Sequence, residues 1–330
     1  MLHLGNLVLA TTLAVQASGD RTAEALSEAR ALINAGKAAA AIERLKPEDQ
    51  SDPRVAHLLG VAHYHANDAA RAVELLTVAL RLPDGSFERR EAVQVLGLAK
   101  YLTGRIAEAI PYLEETRTWA PHNLELGYAL GLAYVQTRQP APARRTFARM
   151  FRVEPESAAA HLLAAQMMIR VEQEDLAGAE LQEALRKDPR LPHANYLLGQ
   201  TAIFRARYDE AIALLERELA VNPAHAMALY RLGDAYGRQL RWDESIAALQ
   251  KSIWLNPYFS GPYILLGRAY QKKNQPDLAE GMLRRAIGYD PNNRTAHYLL
   301  AQVLQHMGRE DEARKEFAIA EKLQELPDRR

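Results

Sequence analysis

An all-α fold made of stacked helix pairs follows from three observations. Pro121, Pro155, Pro189, Pro223, Pro257 and Pro291 stand 34 residues apart with no insertion or deletion between them. Strict self-similarity at a period of a few tens of residues means a repeat array. Leu-Gly pairs recur in the same phase at Leu96-Gly97, Leu130-Gly131, Leu198-Gly199, Leu232-Gly233 and Leu266-Gly267. A small residue and then a large apolar one follow in step: Ala109 and Leu113, Ala143 and Phe147, Ala211 and Leu215, Ser245 and Leu249, Ala279 and Leu283.

Each observation has a physical reading. Counted from Arg90, the pairs fall at offsets 7 and 8 of each unit. At about 100° per residue, offsets 4, 7, 8 and 11 share one stripe of a first helix, and offsets 20, 24 and 27 form the facing stripe of a second. Glycine and alanine at the crossing let the two helices approach closely, where a larger side chain would overpack at roughly 1–3 kcal/mol. Asp188-Pro189, Asn222-Pro223, Asn256-Pro257 and Asp290-Pro291 end one helix and lead into the next, because proline cannot continue a helix interior.

The Leu-Gly pairs, Tyr134, Tyr236 and Tyr270 three residues beyond them, the small residues and the ladder of prolines resemble the tetratricopeptide repeat, a 34-residue helix–turn–helix unit. The resemblance implies a right-handed α-solenoid superhelix of about nine such repeats, whose first helices line a concave groove. One departure stands out. The bulky aromatic expected at offset 4 is replaced by Val93, Gly127, His161, Asn195 and Leu229, and only Tyr263 fits well.

In chain order, Met1 to Ala17 is apolar at Leu2, Leu4, Leu7, Val8, Leu9, Leu13, Ala14 and Val15, with polar residues scattered around the helix. It is too short for a bilayer span, which needs roughly 20 residues. It fits the core of a signal peptide, with Val15-Gln16-Ala17 as the small-residue cleavage site, although no Lys or Arg precedes it. The expected location is therefore extracytoplasmic, with a cytoplasmic protein as the alternative. Residues 18–327 then read as one array, with repeats at 22–52, 53–89, 90–123, 124–157, 158–191, 192–225, 226–259, 260–293 and 294–327, and residues 328–330 as a tail. Gly36-Lys37 turns the short first repeat, and Asp84-Gly85-Ser86 forms a three-residue loop extension of the second. Solenoids need polar ends. The charged final helix from Glu310 suits that role, whereas Ala38 to Ala41 leave the N-terminal end open to weak self-association.

Composition narrows the function. Lys+Arg and Asp+Glu both number 41, so no bulk charge draws nucleic acid or anionic lipid. Cysteine is absent, which excludes disulfides and thiolate metal sites. His57, His63 and His65 lack the i, i+4 spacing and carboxylate helper of a metal site, and His161 and His297 occupy core or boundary positions. Acidic residues read as solvated charge on outer helical faces. With no strand to carry a phosphate loop and no ordered base beside Ser or Thr, neither enzyme nor cofactor nor metal is expected.

The expected site is the groove, an exposed apolar surface of the kind that marks interaction sites. Offsets 5, 9, 12 and 13 of the first helices contribute Tyr101, Tyr128, Leu132, Val135, Ile169, Tyr196, Ile203, Phe204 and Tyr230, then Arg238, Arg268 and Lys272. The groove thus turns from apolar and aromatic in repeats two to five to polar and charged from repeat six. A protein or peptide partner is expected, held by tyrosine anchors. Some relatives grip a C-terminal carboxylate with Lys at offset 5 and Asn at offset 9, and neither is found here at those offsets. The reading is of an interaction scaffold in an extracytoplasmic assembly. Its rivals are a cytoplasmic regulatory adaptor and, behind it, the detached substrate-binding array of a glycosyltransferase-type enzyme.

Overall fold

The computed structural model describes residues 21–325, so the expected leader Met1–Ala17 and the tail 328–330 lie outside the described residues. Among the described residues eighteen helices follow one another and no strand occurs. They form two compact units, Met1–Ala177 and Gly178–Arg330.

In the first unit the helices are α1 (residues 21–34), α2 (Ala38–Leu45), α3 (Pro53–His65), α4 (Ala69–Ala79), α5 (Phe87–Leu102) and α6 (Ile106–Trp119). They are followed by α7 (Leu124–Gln136), α8 (Pro140–Phe151) and α9 (Ala158–Arg170). The division falls within α10 (Glu174–Lys187). The second unit continues with α11 (Ala194–Phe204), α12 (Tyr208–Val221), α13 (Ala226–Arg238) and α14 (Trp242–Leu255). It ends with α15 (Ser260–Lys272), α16 (Pro276–Tyr289), α17 (Arg294–His306) and α18 (Glu310–Glu325).

The helix crossings explain the Leu-Gly pairs. A Cβ added to Gly97 would come within 2.9 Å of Leu113, and one at Gly131 within 2.4 Å of the Phe147 ring. In the second unit Gly233 and Gly267 meet Leu249 and Leu283 at 2.5 Å in the same way. The core of each unit is built on these contacts: Leu76, Val95 and Leu96 in the first, Leu215 and Leu232 or Leu283 and Leu300 in the second.

The turn inside each repeat is also periodic. Gly104, Arg138, Glu172, Ala206, Leu240, Asn274 and Gly308 adopt left-handed backbone, with φ from 56° to 76°. The next residue then donates its N–H back across the turn, as in Arg105 to Lys100, Gln139 to Tyr134 and Arg241 to Tyr236. This is the hydrogen bond that closes a helix C-terminus through a left-handed residue. Outside that series and the short Gly36 and Asn67 turns, the left-handed residues are Gly85, Arg152 and His193.

Helix starts shift one boundary. Ser86 caps α5 by accepting the Arg89 N–H at 3.2 Å, so Phe87 to Arg89, assigned above to the second repeat, belong to the first helix of the third. Asn293, part of a glycosylation-like triplet, caps α17 through the Ala296 N–H at 3.1 Å. Nor is every carboxylate solvated as expected: Glu180, Glu218 and Asp234 are buried.

Candidate binding face of the first helices

Within the first unit α3 packs on α5, α5 on α7 and α7 on α9, so first helices form a layer of their own. The second unit repeats this with α11, α13, α15 and α17. Side chains between adjoining first helices are covered, and those on the outward side of the layer remain open.

In the first unit Tyr101 is half-buried and Tyr128 is 38% exposed. Burial and the neighbouring Tyr128 push the Tyr101 hydroxyl above the ordinary tyrosine range, against a hydrogen bond with Gln136. Leu102 beside it is exposed and Ile169 half-buried. Leu132 and Val135 are buried, so the expectation that they line an open groove is corrected. His57, at the same offset as Tyr128, is also buried and holds Glu91 at 2.8 Å. Glu91 is also held by Arg30 at 2.8 Å. Burial alone would raise the Glu91 carboxyl, but the bonds from His57 and Arg30 outweigh it and bring it down to about 2. Residues from three repeats are joined there. His63 pairs with Asp68 at 3.0 Å.

In the second unit Ile203 is buried against Ala228 and Leu232, a further correction, while its neighbour Phe204 is 86% exposed. Tyr196 is half-buried and stacks on His193 with ring centroids 5.5 Å apart. Tyr230 meets Phe259 edge-on at 5.1 Å and lies 5.2 Å from the Arg231 guanidinium. Of the three expected cations, Arg238 is ion-paired with Asp234 at 3.0 Å, which offsets its charge. Arg268 is half-buried, Lys272 is exposed, and neither has an ion pair among the described residues. Gly237, in place of a large side chain, opens a cavity of about 200 Å³ lined by Arg238, Leu240, Trp242 and Arg268.

Sequence reasoning missed a cluster of His193, Glu218 and His225, whose donor atoms lie within 4.8 Å of one another. That spacing suits a metal ion, although none was expected, but each group is already engaged. Glu218 accepts the His193 N–H at 2.9 and 3.0 Å and reaches the Tyr196 N–H at 3.4 Å, which closes the start of α11. His225 Nδ1 accepts the Ala228 N–H at 3.2 Å, which leaves the proton on Nε2, donated to His193 Nδ1 at 2.9 Å. Burial, with His193 beside it, holds the His225 pKa below the ordinary histidine value. The trio is thus a capping network in which Glu218 and His225 accept backbone N–H groups. A periodic signal was available for a second missed feature. Tyr134 donates to Glu114 at 2.5 Å and Tyr236 to Glu216 at 2.7 Å, each carboxylate 20 residues upstream, and burial followed by that bond pushes both hydroxyls up to about 12.

Family models described as tetratricopeptide repeat match residues 101–167, 196–258 and 264–328, together more than half of the chain. The chain belongs to the tetratricopeptide repeat family. No curated protein matches it. Among solved structures, MamA from Desulfovibrio magneticus RS-1 is 22% identical with a TM-score of 0.48, over 52% of this chain and 97% of that one. YrrB, a tetratricopeptide protein, is 20% identical with a TM-score of 0.48, over 57% and 95%. The Cut9–Hcn1 hetero-tetramer chain is 19% identical with a TM-score of 0.46, over 85% and 55%. In this tetratricopeptide protein no helix among the described residues is long and apolar enough to cross a membrane.

Proposed function

We propose that the protein is a non-catalytic scaffold that holds an apolar segment of a partner protein against the outward side of its first helices, in an exported complex. The observation that carries the reading is aromatic: Tyr128, Phe204 and Tyr298 stand open on first helices at 38%, 86% and 46% exposure. Exposed aromatic rings give large contact area for little entropy. Arg268 and Lys272 add positive charge in the second unit and favour an acidic residue in the bound segment. The repeat family supports the scaffold role. Export is supported by the apolar run from Leu2 to Val15 and the Val15-Gln16-Ala17 site.

A photo-crosslinking residue placed at position 128 or 204 in cells tests the face, with the exposed second-helix position Glu74 as control. Discrete adducts at 128 and 204 but not at 74 are expected; equal labelling at all three overturns the face. Mass spectrometry of the purified N-terminus tests export separately. A start at Ser18 is expected, and an intact Met1 removes that part of the reading.

A further inference from the structure

The slot at offset 4 is filled in a regular way in the last two repeats. The Tyr263 hydroxyl donates to the Pro257 carbonyl at 3.0 Å, and His297 Nε2 donates to the Pro291 carbonyl at 2.9 Å. The other ring nitrogen of His297 contacts Glu316 at 2.6 Å. In each case a ring from the first turns of a first helix spans the space between the preceding ladder proline and the second helix of its own repeat.

In the repeat that begins at Leu124 that ring is replaced by Gly127. The positions corresponding to Pro291 and Glu316 are Pro121 and Thr146, and both line a cavity of about 370 Å³. Met150 stands where the last repeats have Ala286 and Ala320. It covers part of the slot, since a Cβ on Gly127 would lie 2.9 Å from the Met150 Cγ. The floor is therefore apolar: Gly127, Met150, Leu126 and Ala120. The rim is cationic: Arg117, Arg149 and Arg152, with His122 beside them.

The charges at this rim are unequally committed. Arg117 is tied to Glu114, its Nε at 2.9 Å. Arg149 and Arg152 are exposed and have no ion pair among the described residues. Arg152 ends α8 in left-handed backbone with φ +55°. The cavity volume falls in the range of about 300–1,000 Å³ that holds small ligands. Guanidinium groups bind carboxylate and phosphate with paired, geometrically fixed hydrogen bonds.

We propose that this cavity binds a small aromatic anion, whose ring takes the slot that tyrosine or histidine fills elsewhere and whose carboxylate or phosphate meets Arg149 and Arg152. The site is formed at the loop end of one repeat, by the α6–α7 connection and the end of α8, and stands independently of the partner-binding face. An apolar ring alone would leave the guanidiniums unmatched, and an inorganic anion alone would leave the floor wet.

Calorimetric titration of the full chain tests this with phenyl phosphate, inorganic phosphate and phenol as probes. Phenyl phosphate is expected to bind saturably, at least tenfold more tightly than either of the others. The double variant R149Q/R152Q is expected to lose at least tenfold in affinity with an unchanged far-ultraviolet spectrum. Gly127→Tyr fills the slot from the protein's own chain, because the flexible Met150 can swing aside. It is expected to abolish binding while keeping or raising the melting temperature. Phenyl phosphate bound as well by Gly127→Tyr as by the parent chain overturns the proposal. So does inorganic phosphate bound as tightly as phenyl phosphate, or the absence of saturable heat with any probe.

Discussion

The two units set a carboxylate beside histidine in opposite electrostatic senses, half-buried in the first and fully buried in the second. In the first, Glu91 is a charged acceptor between His57 and Arg30, with its carboxyl brought down to about 2. In the second, Glu218 is fully buried and satisfied by backbone N–H groups, while burial beside His193 keeps His225 neutral. The first arrangement ties three repeats together by charge. The second closes the start of one helix with a buried acceptor. One repeat architecture thus carries two solutions to the same problem, the satisfaction of polar groups inside a stack of helices, and they differ in what acid does to them.

The largest expected effect falls on the second unit. Glu218→Ala removes the acceptor for the His193 N–H and leaves donors unmet at the start of α11, a cost of about 2–4 kcal/mol. Trp119 lies in the first unit and Trp242 and Trp254 in the second, so urea unfolding followed in Trp119→Phe reports the second unit alone. An earlier transition in that background, and none in the Trp242→Phe/Trp254→Phe background, keeps the two networks separate. Equal shifts in both would break the contrast.

Next in size is Glu91→Gln, which weakens the bonds to His57 and Arg30 and is expected to cost on the order of 2 kcal/mol after solvent screening, read by Trp119. The sign of the acid response sharpens the comparison. The Glu91 carboxyl titrates lower in the folded chain than in the unfolded one, so its contribution is complete above the unfolded value of 4.5 and is lost as pH falls from there toward about 2. His225 also titrates lower when folded, so its contribution is complete above 6.5 and declines as pH falls below that value. Denaturation midpoints measured from pH 7.5 to 4 should therefore fall first for the second unit. His225→Asn should flatten that early decline, since Asn caps a helix without titrating.

The smallest effect concerns the turns. Leu240 holds φ +63°. Leu240→Gly relieves that strain but frees the unfolded chain, for a net gain of about 0.5 kcal/mol. A Gly104→Ala change in the first unit, at φ +76°, should cost about 1 kcal/mol. Both are measurable by thermal unfolding.

Much of the fold was legible because the period is strict. Gly97 against Leu113 and Gly131 against Phe147 could be placed from spacing alone, since a helix crossing fixes which residues must be small. The candidate face was only partly legible. The offsets that place Tyr128 and Phe204 on open surface also selected Val135 and Ile203, which are buried. Offset gives direction around one helix and carries no information on how closely the next first helix approaches. The expected aromatic-to-charged change also narrowed, because Asp234 at offset 9 takes up Arg238 at offset 13. Trp254, 82% exposed on a second helix, was not anticipated at all.

The 34-residue period, the paired helices and the small residues at each crossing were settled by the sequence, because those features depend on side-chain size and helical phase within one repeat. The meeting of His193 with His225, the joining of Arg30 to Glu91 and the cavity beside Gly127 were settled only by tertiary packing. The left-handed turns belong with them: Glu172, Ala206 and Leu240 have no local preference for that backbone and are held in it by the helices on either side. Local chemistry can specify a helix pair, whereas the distance between groups in different helices is set by how the pairs nest.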